Sequence, residues 1–234
     1  MEKTQNIRDI ILDTETTGLS PEKGDRIVEI GCVEMINYVQ TGRTYQVYIN
    51  PEREMSAGAA RVTGYDDDFL KDKPVFADIV DDFLDFVGDG RLVIHNAPFD
   101  IGFLNSELKR LDKPLFKLED AVDTLVIART KYPGAQANLD ALCHRFDIDT
   151  SSRGKHGALI DSILLAEVYV NLLGGKQSGW SFESNENQQT TSQQFKRKVR
   201  TARKFSVSDD ELKAHREFIE TLSNPMWNRE GEKF

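Results

Sequence analysis

Four acidic residues and one histidine in this chain have the types and local spacing to bind metal ions. Asp13 and Glu15 lie in Asp-Thr-Glu-Thr-Thr-Gly, Asp100 ends His-Asn-Ala-Pro-Phe-Asp, and His156 and Asp161 begin and end His-Gly-Ala-Leu-Ile-Asp. Carboxylates at close range repel and raise one another's pKa, so they stay ionised together only when cations bind. If the fold brings these side chains together, the sequence predicts a metal site.

The ligand types indicate which metal and which chemistry. Four carboxylates without a cluster of cysteines or histidines favour Mg²⁺ or Mn²⁺ over Zn²⁺. Two such ions about 3.5–4 Å apart activate a water and stabilise the leaving oxygen of an in-line phosphoryl displacement. His156 lies in a Gly-Lys-His-Gly segment that predicts an exposed loop. An ordinary pKa of about 6.5 suits it to act as a general base toward that water.

Each of these signals has a plain structural interpretation when taken alone. An Asp-x-Glu pair in an acidic chain is typical of a solvated face, and a single histidine before a helix is typical of a cap or surface residue. Asp100 could satisfy backbone N–H groups at a helix start, and Asp123 is expected to be the N-cap of a helix beginning at Thr124. The metal-site prediction therefore depends on the ordered combination of three motifs.

The elements around these motifs predict an α/β or α+β sheet with helices packed against it. Apolar and β-branched runs predict three antiparallel strands at residues 7–13, 27–36 and 44–49. Helical periodicity and turn residues predict a strand at 92–95, a helix that begins near Pro98, and further helices at 75–87, 124–131, 139–146 and 158–173.

These elements can position the acidic side chains. A spacing of two along a strand puts Asp13 and Glu15 on the same face, where both can reach one ion. Asp100 and Asp161 fall in the first turns of their predicted helices, where the helix dipole favours a carboxylate.

Composition limits the classes of protein to consider. The chain has 234 residues, of which 39% are hydrophobic, which is enough for a buried core. No apolar run approaches the roughly 20 residues that span a bilayer, and the start shows no signal-peptide pattern, so we expect a cytoplasmic protein without a membrane partner. Cys32 and Cys143 lack metal-ligand spacing and predict buried, reduced thiols.

The net charge of −9 is unevenly distributed. Residues 1–175 carry 19 basic and 30 acidic side chains (net −11), whereas residues 195–234 carry 10 and 7 (net +3). Affinity for phosphate backbones comes mainly from Lys and Arg, so the acidic body is expected to bind nucleic acid weakly. A nucleic-acid substrate would have to be held locally or delivered.

The composition changes after Gly175. Residues 183–194 contain no apolar residue and predict a flexible linker. The charged tail beyond it is too short to fold alone and predicts a helical element that docks onto a partner. Its apolar residues are Leu212, Phe218, Ile219, Leu222, Met226 and Trp227.

At the three motifs the sequence resembles the DEDD superfamily of 3′–5′ exonucleases, in the subgroup that uses histidine, whose members have a ribonuclease H-like fold. Nearly the full chain is similar to one family in it, the proofreading subunits of bacterial DNA polymerase III. Shared segments include residues 69–74, Pro133-Gly134 and residues 138–143. The resemblance implies release of a 5′-nucleotide from a DNA 3′ end. It assigns metal ligation to Asp13, Glu15, Asp100 and Asp161. It assigns the role of general base to His156.

The resemblance also implies contacts with the substrate and with partners. The sliding clamp would bind residues 177–182, with Gln177, Trp180 and Phe182 as anchors, and the polymerase alpha subunit would bind residues 195–234. Members of the family also bind a small third core subunit, for which no contact in this chain can be assigned. The side chains implied beside the terminal nucleotide are Thr14, Thr16, Thr17, Gly18, Asn96 and Phe99.

The predicted organisation is therefore an exonuclease domain at 1–175, a clamp-binding peptide and linker at 176–194, and a polymerase-docking segment at 195–234. Two alternatives stay open. An RNA-trimming exonuclease of the same superfamily shares the five residues but has no need of a docking tail. A non-catalytic adaptor between clamp and polymerase has no need of the complete five-residue set.

Overall fold

The computed structural model describes residues 6–151, 157–174 and 208–221. The chain divides into two units, Met1–Ser181 and Phe182–Phe234. The first unit contains a five-stranded sheet in the order β3-β2-β1-β4-β5. The strands are β1 (Arg8–Thr16), β2 (Ile27–Ile36), β3 (Val39–Tyr48), β4 (Arg91–Ile94) and β5 (Val122–Asp123).

The first unit contains seven α-helices in the described part of the chain. They are α1 (Ala57–Thr63), α2 (Asp67–Leu70), α3 (Phe76–Val87), α4 (Ala97–Arg110), α5 (Thr124–Lys131), α6 (Leu139–Arg145) and α7 (Ala158–Leu172).

The sheet combines antiparallel and parallel pairing. Strands β1, β2 and β3 form an antiparallel set, and β4 and β5 extend it in parallel from the other side of β1. In the β1–β2 pair, Asp13 lies opposite Gly31, and Glu15 lies opposite Glu29. The predicted mixed α/β sheet is confirmed.

Each face of the sheet has its own hydrophobic core because successive side chains of a strand point to opposite faces. Ile10 and Leu12 of β1 pack with α3 and α4 on one face. Ile11 of the same strand packs with α5, α6 and α7 on the other. The two cysteines are buried in different cores, Cys32 in the first and Cys143 in the second.

Most predicted elements are found within one or two residues of their predicted ends. Asp123 is the N-cap of α5, and its carboxylate accepts a hydrogen bond from the Leu125 amide, as predicted. The sequence prediction missed the short helices α1 and α2, and it missed the two-residue strand β5. It also ended β1 at residue 13, whereas the strand continues to Thr16, so Asp13 and Glu15 lie inside it.

Helix α7 begins directly on the backbone of β2, because Gly31 has no side chain. A Cβ atom there would lie 2.2 Å from the carbonyl carbon of Ala158. The Ser162 hydroxyl donates a hydrogen bond of 2.9 Å to the Gly31 carbonyl. Because Gly31 lies opposite Asp13, this docking brings the first turn of α7 to the middle of β1.

The described part of the second unit is helix α8 (Asp209–Glu220), which lies in the tail predicted to be helical. Ser208 and Glu211 form a reciprocal capping box at its start. Leu212 and Phe218 are exposed. Across residues 6–151, 157–174 and 208–221, no helix combines the length and apolar character needed to cross a bilayer.

Candidate active site

Three of the predicted acidic residues meet where β1 passes the start of α7. One carboxylate oxygen each from Asp13, Glu15 and Asp161 lies within 4.8 Å of the others. Asp13 and Glu15 come from the same face of β1, and Asp161 comes from the first turn of α7, as predicted. The tertiary structure thus brings together side chains almost 150 residues apart.

Asp100, the fourth predicted acid, reaches the same region from the first turn of α4. Its Oδ1 accepts hydrogen bonds from the Thr14 amide at 3.0 Å and from the Thr14 hydroxyl at 2.7 Å. These two bonds attach the Asp100 carboxylate to the residue that separates Asp13 from Glu15. A bidentate ion pair between Arg26, which precedes β2, and buried Glu107 holds α4 further along.

Burial and mutual repulsion raise the pKa values of carboxylates in this cluster. Burial raises the pKa of Asp13 well above its ordinary value, and the charges of Asp100, Glu15, Asp161 and Glu29 add to the effect. Burial also raises the pKa of Asp100 to about 7, although hydrogen bonds from Thr14 oppose this rise. A bound divalent cation would reverse these shifts, because it favours the ionised carboxylates.

The chemistry of the donor set therefore fits divalent metal ions. The cluster offers carboxylate oxygens alone, which suits hard cations, and its members come from two different elements that can grip an ion between them. Crowded carboxylates of this kind are a common feature of sites that bind and activate water or phosphate through metal ions.

The turn after β1 is built largely by its own threonines. The Thr16 hydroxyl donates to the Gly18 carbonyl, and the fully buried Thr17 hydroxyl accepts a hydrogen bond from the Arg26 amide. Gly18 is packed so closely that a Cβ atom there would lie 2.3 Å from the Asp25 carboxylate. These residues follow Glu15 directly in the chain.

The other residues implied to contact a nucleotide lie at the start of α4. Asn96 is exposed and has a left-handed backbone, with φ of 70°, and its backbone N–H donates to the Asp123 carboxylate. Phe99 is half-buried and packs with its ring centroid 4.9 Å from that of Phe103. Thr14 is buried, and its hydroxyl is engaged by Asp100. The nucleotide contacts of all six residues stay predictions.

Several predicted positions lie outside the described residues. These are His156, the predicted clamp-binding peptide at residues 177–182, the predicted linker, and the tail on either side of residues 208–221. Gly157, the next residue after His156 in the chain, is the N-cap of α7, the helix that carries Asp161.

The sequence reasoning missed one residue at this site, Glu29. Its side chain is fully buried on β2, directly across from Glu15. The presence of a glutamate within the mostly apolar run Ile27–Ile36, which also contains Glu34, was the available signal, since buried carboxylates require specific partners.

Comparison with protein families and with known sequences gives consistent matches. The family model described as Exonuclease (RNase_T) matches residues 10–169. The chain is 52% identical over 223 residues to the DNA polymerase III subunit epsilon of Rickettsia felis (strain ATCC VR-1525 / URRWXCal2), a match that covers 93% of this chain and 97% of that protein. It is 42% identical over 219 residues to the subunit of the same name from Escherichia coli (strain K12), covering 89% and 90%.

Solved structures with the same fold are also exonucleases. Exonuclease X in complex with 5′ overhanging duplex DNA matches with a TM-score of 0.56 and 25% identity, covering 74% of this chain and 93% of that one. The nuclease domain of 3′hExo, a DEDDh family member bound to rAMP, matches with a TM-score of 0.63 and 20% identity, covering 73% and 94%. The second likeness concerns the fold alone.

Proposed function

This chain belongs to the exonuclease family that includes the epsilon subunits of DNA polymerase III, and on that basis we propose that it removes mispaired 3′-terminal nucleotides from DNA by two-metal hydrolysis. The single observation that carries the proposed mechanism is the meeting of Asp13, Glu15 and Asp161, with Asp100 held beside them by Thr14. Membership of this family indicates a 3′–5′ exonuclease. The acidic cluster is the proposed site of hydrolysis.

In the proposed mechanism the metal ions would be held by the carboxylates of Asp13, Glu15, Asp100 and Asp161. Two divalent ions, Mg²⁺ or Mn²⁺, would supply activation of a water and charge stabilisation at the phosphorus centre. His156 would accept the proton of the attacking water, since an imidazole with an ordinary pKa is half-deprotonated near neutral pH. Thr14 keeps the Asp100 carboxylate oriented throughout, because both of its donors are committed to that side chain.

The charge distribution supports selectivity for mispaired ends. An acidic body binds paired DNA weakly, so a strand must fray before its end enters the site. A mismatched end frays at a lower free-energy cost than a paired one. In this proposal the frayed nucleotide is contacted by Thr14, Thr16, Thr17 and Gly18, and Asn96 and Phe99 lie beside it.

Partners compensate for the weak intrinsic binding in this proposal. The tail at 195–234 would bind the polymerase alpha subunit, and residues 177–182 would bind the sliding clamp. Tethering through the linker predicted at 183–194 would give an effective concentration of about millimolar order beside the primer end. Trp180 and Phe182 are the aromatic anchors that such a clamp interface favours. As a replication subunit the protein would act in the cytoplasm.

The experiment that tests the mechanism uses the full chain, a labelled single-stranded DNA and a matched RNA, each with Mg²⁺ or Mn²⁺. We expect DNA to be shortened from its 3′ end to 5′-mononucleotides, and we expect the Asp161→Asn variant to lose turnover by orders of magnitude. Asp85→Asn is the matched control. Asp85 is exposed on α3, and this helix packs on the face of the sheet that does not carry the acidic cluster.

Near-parent activity of Asp161→Asn would refute the assignment of the site. Faster hydrolysis of RNA than of DNA would favour the RNA-trimming alternative, and absence of hydrolysis on both substrates would favour the adaptor alternative.

A further inference from the structure

Glu29 is a buried carboxylate that joins three elements of the fold. It is fully buried on β2. Its Oε1 accepts a hydrogen bond of 2.8 Å from the Gln46 side chain on β3. Its Oε2 accepts one of 2.7 Å from the hydroxyl of Tyr65, just beyond α1, and one of 3.0 Å from the amide of Ala158, the first residue of α7. Both oxygens are thus occupied by protein donors.

The position of Glu29 opposite another carboxylate is electrostatically unfavourable. It lies directly opposite Glu15 in the antiparallel β1–β2 pair, so the two side chains project from the same face of the sheet. Like charges placed directly opposite each other are destabilising. Its charge also contributes to the raised pKa of Asp13. An apolar side chain, such as those of Val28 and Ile30 on either side of it in β2, would carry no such cost.

The Tyr65 donor is itself held rigidly. Its ring stacks on Phe69 with centroids 5.4 Å apart and meets Tyr48 edge-on at the same distance. The Lys73 ammonium lies 4.3 Å from the centroid of the Phe69 ring, where a cation is attracted to the ring face. Glu29 is therefore anchored on one side by a packed aromatic group and on the other by β3.

The remaining bond, to Ala158, is the one that connects this anchor to the metal site. An N–H group in the first turn of a helix lacks a partner within the helix, and a carboxylate is favoured there by the helix dipole. Gly31, two residues along β2, already lets the backbone of α7 approach the sheet. The Glu29 carboxylate contacts that first turn through Ala158, and Asp161 lies three residues after Ala158 in the same turn.

We propose that Glu29 is a positioning residue for the hydrolysis reaction, which fixes the start of α7 so that Asp161 meets Asp13 and Glu15 at the distance a shared cation requires. The proposal rests on the proposed function only for its effect on turnover. Its structural content, the coupling of Glu29 to the metal site through Ala158, is tested without DNA.

The test compares Glu29→Ala and Glu29→Gln in the full chain. Glutamine has the size of glutamate, and its carbonyl oxygen can accept the bonds from Ala158 and Tyr65. Its NH2 group can donate to Gln46 once the Gln46 amide flips to present its oxygen. Glu34→Ala is the matched control. Glu34 is another buried, hydrogen-bonded glutamate on β2, opposite Ile10 and therefore on the other face of the sheet.

Three quantities are measured for each variant: Mn²⁺ affinity by calorimetry without DNA, hydrogen exchange of the Ala158 amide by NMR, and kcat and KM on single-stranded DNA. For Glu29→Ala we expect Mn²⁺ affinity and kcat to fall about 10–100-fold, as when residues supporting metal ligands are removed, with KM little changed and Ala158 exchange faster. Glu29→Gln should restore slow exchange and most of the affinity. Glu34→Ala should lower the melting temperature with parent-like Mn²⁺ binding.

The inference is overturned if Glu29→Ala binds Mn²⁺ as the parent does, or if Glu34→Ala weakens Mn²⁺ binding equally. If Glu29→Ala does not fold, Tyr65→Phe replaces it, because this variant removes one bond to Glu29 and keeps the ring. Tyr65→Phe should then weaken Mn²⁺ binding by a smaller factor, and an unchanged affinity overturns the inference. If the parent protein binds Mn²⁺ but does not hydrolyse DNA, the proposed function is contradicted. The comparison of Mn²⁺ affinities between the parent and Glu29→Ala then still tests the role of Glu29.

Discussion

Replacing Asp100 with asparagine should stabilise the metal-free protein while abolishing its activity. Burial raises the pKa of Asp100 to about 7, against an ordinary value of 3.8. The ionised side chain is therefore unfavourable in the folded state without metal. Asparagine has nearly the same shape, and its amide oxygen can accept both hydrogen bonds from Thr14 that Asp100 now accepts. The substitution removes the charge and keeps the geometry.

The size and pH dependence of the effect follow from the pKa difference. A shift from 3.8 to about 7 corresponds to about 4 kcal/mol. Because the folded state holds the Asp100 proton more tightly than the unfolded state, the protonated side chain carries no penalty below pH 4. Stability is then lost as the pH rises from about 4 to about 7. We therefore expect Asp100→Asn to exceed the parent by about 4 kcal/mol at pH 8 and by about 1 kcal/mol at pH 4.5.

The assay is urea denaturation followed by circular dichroism, at both pH values, in EDTA and then with Mn²⁺. Mn²⁺ should stabilise the parent strongly at pH 8, since a ligand that binds only the folded state adds its binding free energy, and it should stabilise the variant much less. Asp85→Asn serves as the control for charge removal at an exposed site. Equal stability of variant and parent at pH 8 in EDTA, or a difference that does not change with pH, would refute the reasoning.

Three further outcomes are expected. Gly31→Ala should destabilise the protein by about 1–3 kcal/mol in urea and abolish hydrolysis, because its Cβ would overlap the backbone of α7; parent-like stability would contradict the docking described. His156→Ala should lose activity at neutral pH and regain part of it as the pH rises, so an unchanged pH–rate profile would remove the histidine from the mechanism. Deleting residues 176–234 should preserve hydrolysis of short single strands and abolish co-purification with the polymerase, whereas Trp180→Ala with Phe182→Ala should abolish only clamp binding in a pull-down.

The local structure around the motifs was predictable because it depends on short-range rules. The apolar runs of β1 and β2, the periodicity of α3 and α7, and the Asp123 cap all follow from the residues themselves. The helices α1 and α2 were missed because they are short and have little apolar periodicity of their own, so they form only where the rest of the fold packs against them.

The sequence by itself determined which chemical groups are available and which local element carries each one. Asp13 and Glu15 share one face of a strand, and Asp100 and Asp161 begin helices, because these facts require only the periods of 2.0 and 3.6 and the preferences of helix ends. The tertiary structure alone decided that they meet. The close approach of α7 at Gly31 and the bonds from Thr14 to Asp100 join residues 86 or more positions apart. The partners of Glu29 were likewise invisible in the sequence, because its three donors come from β3, from the segment after α1 and from α7, which only folding brings to it.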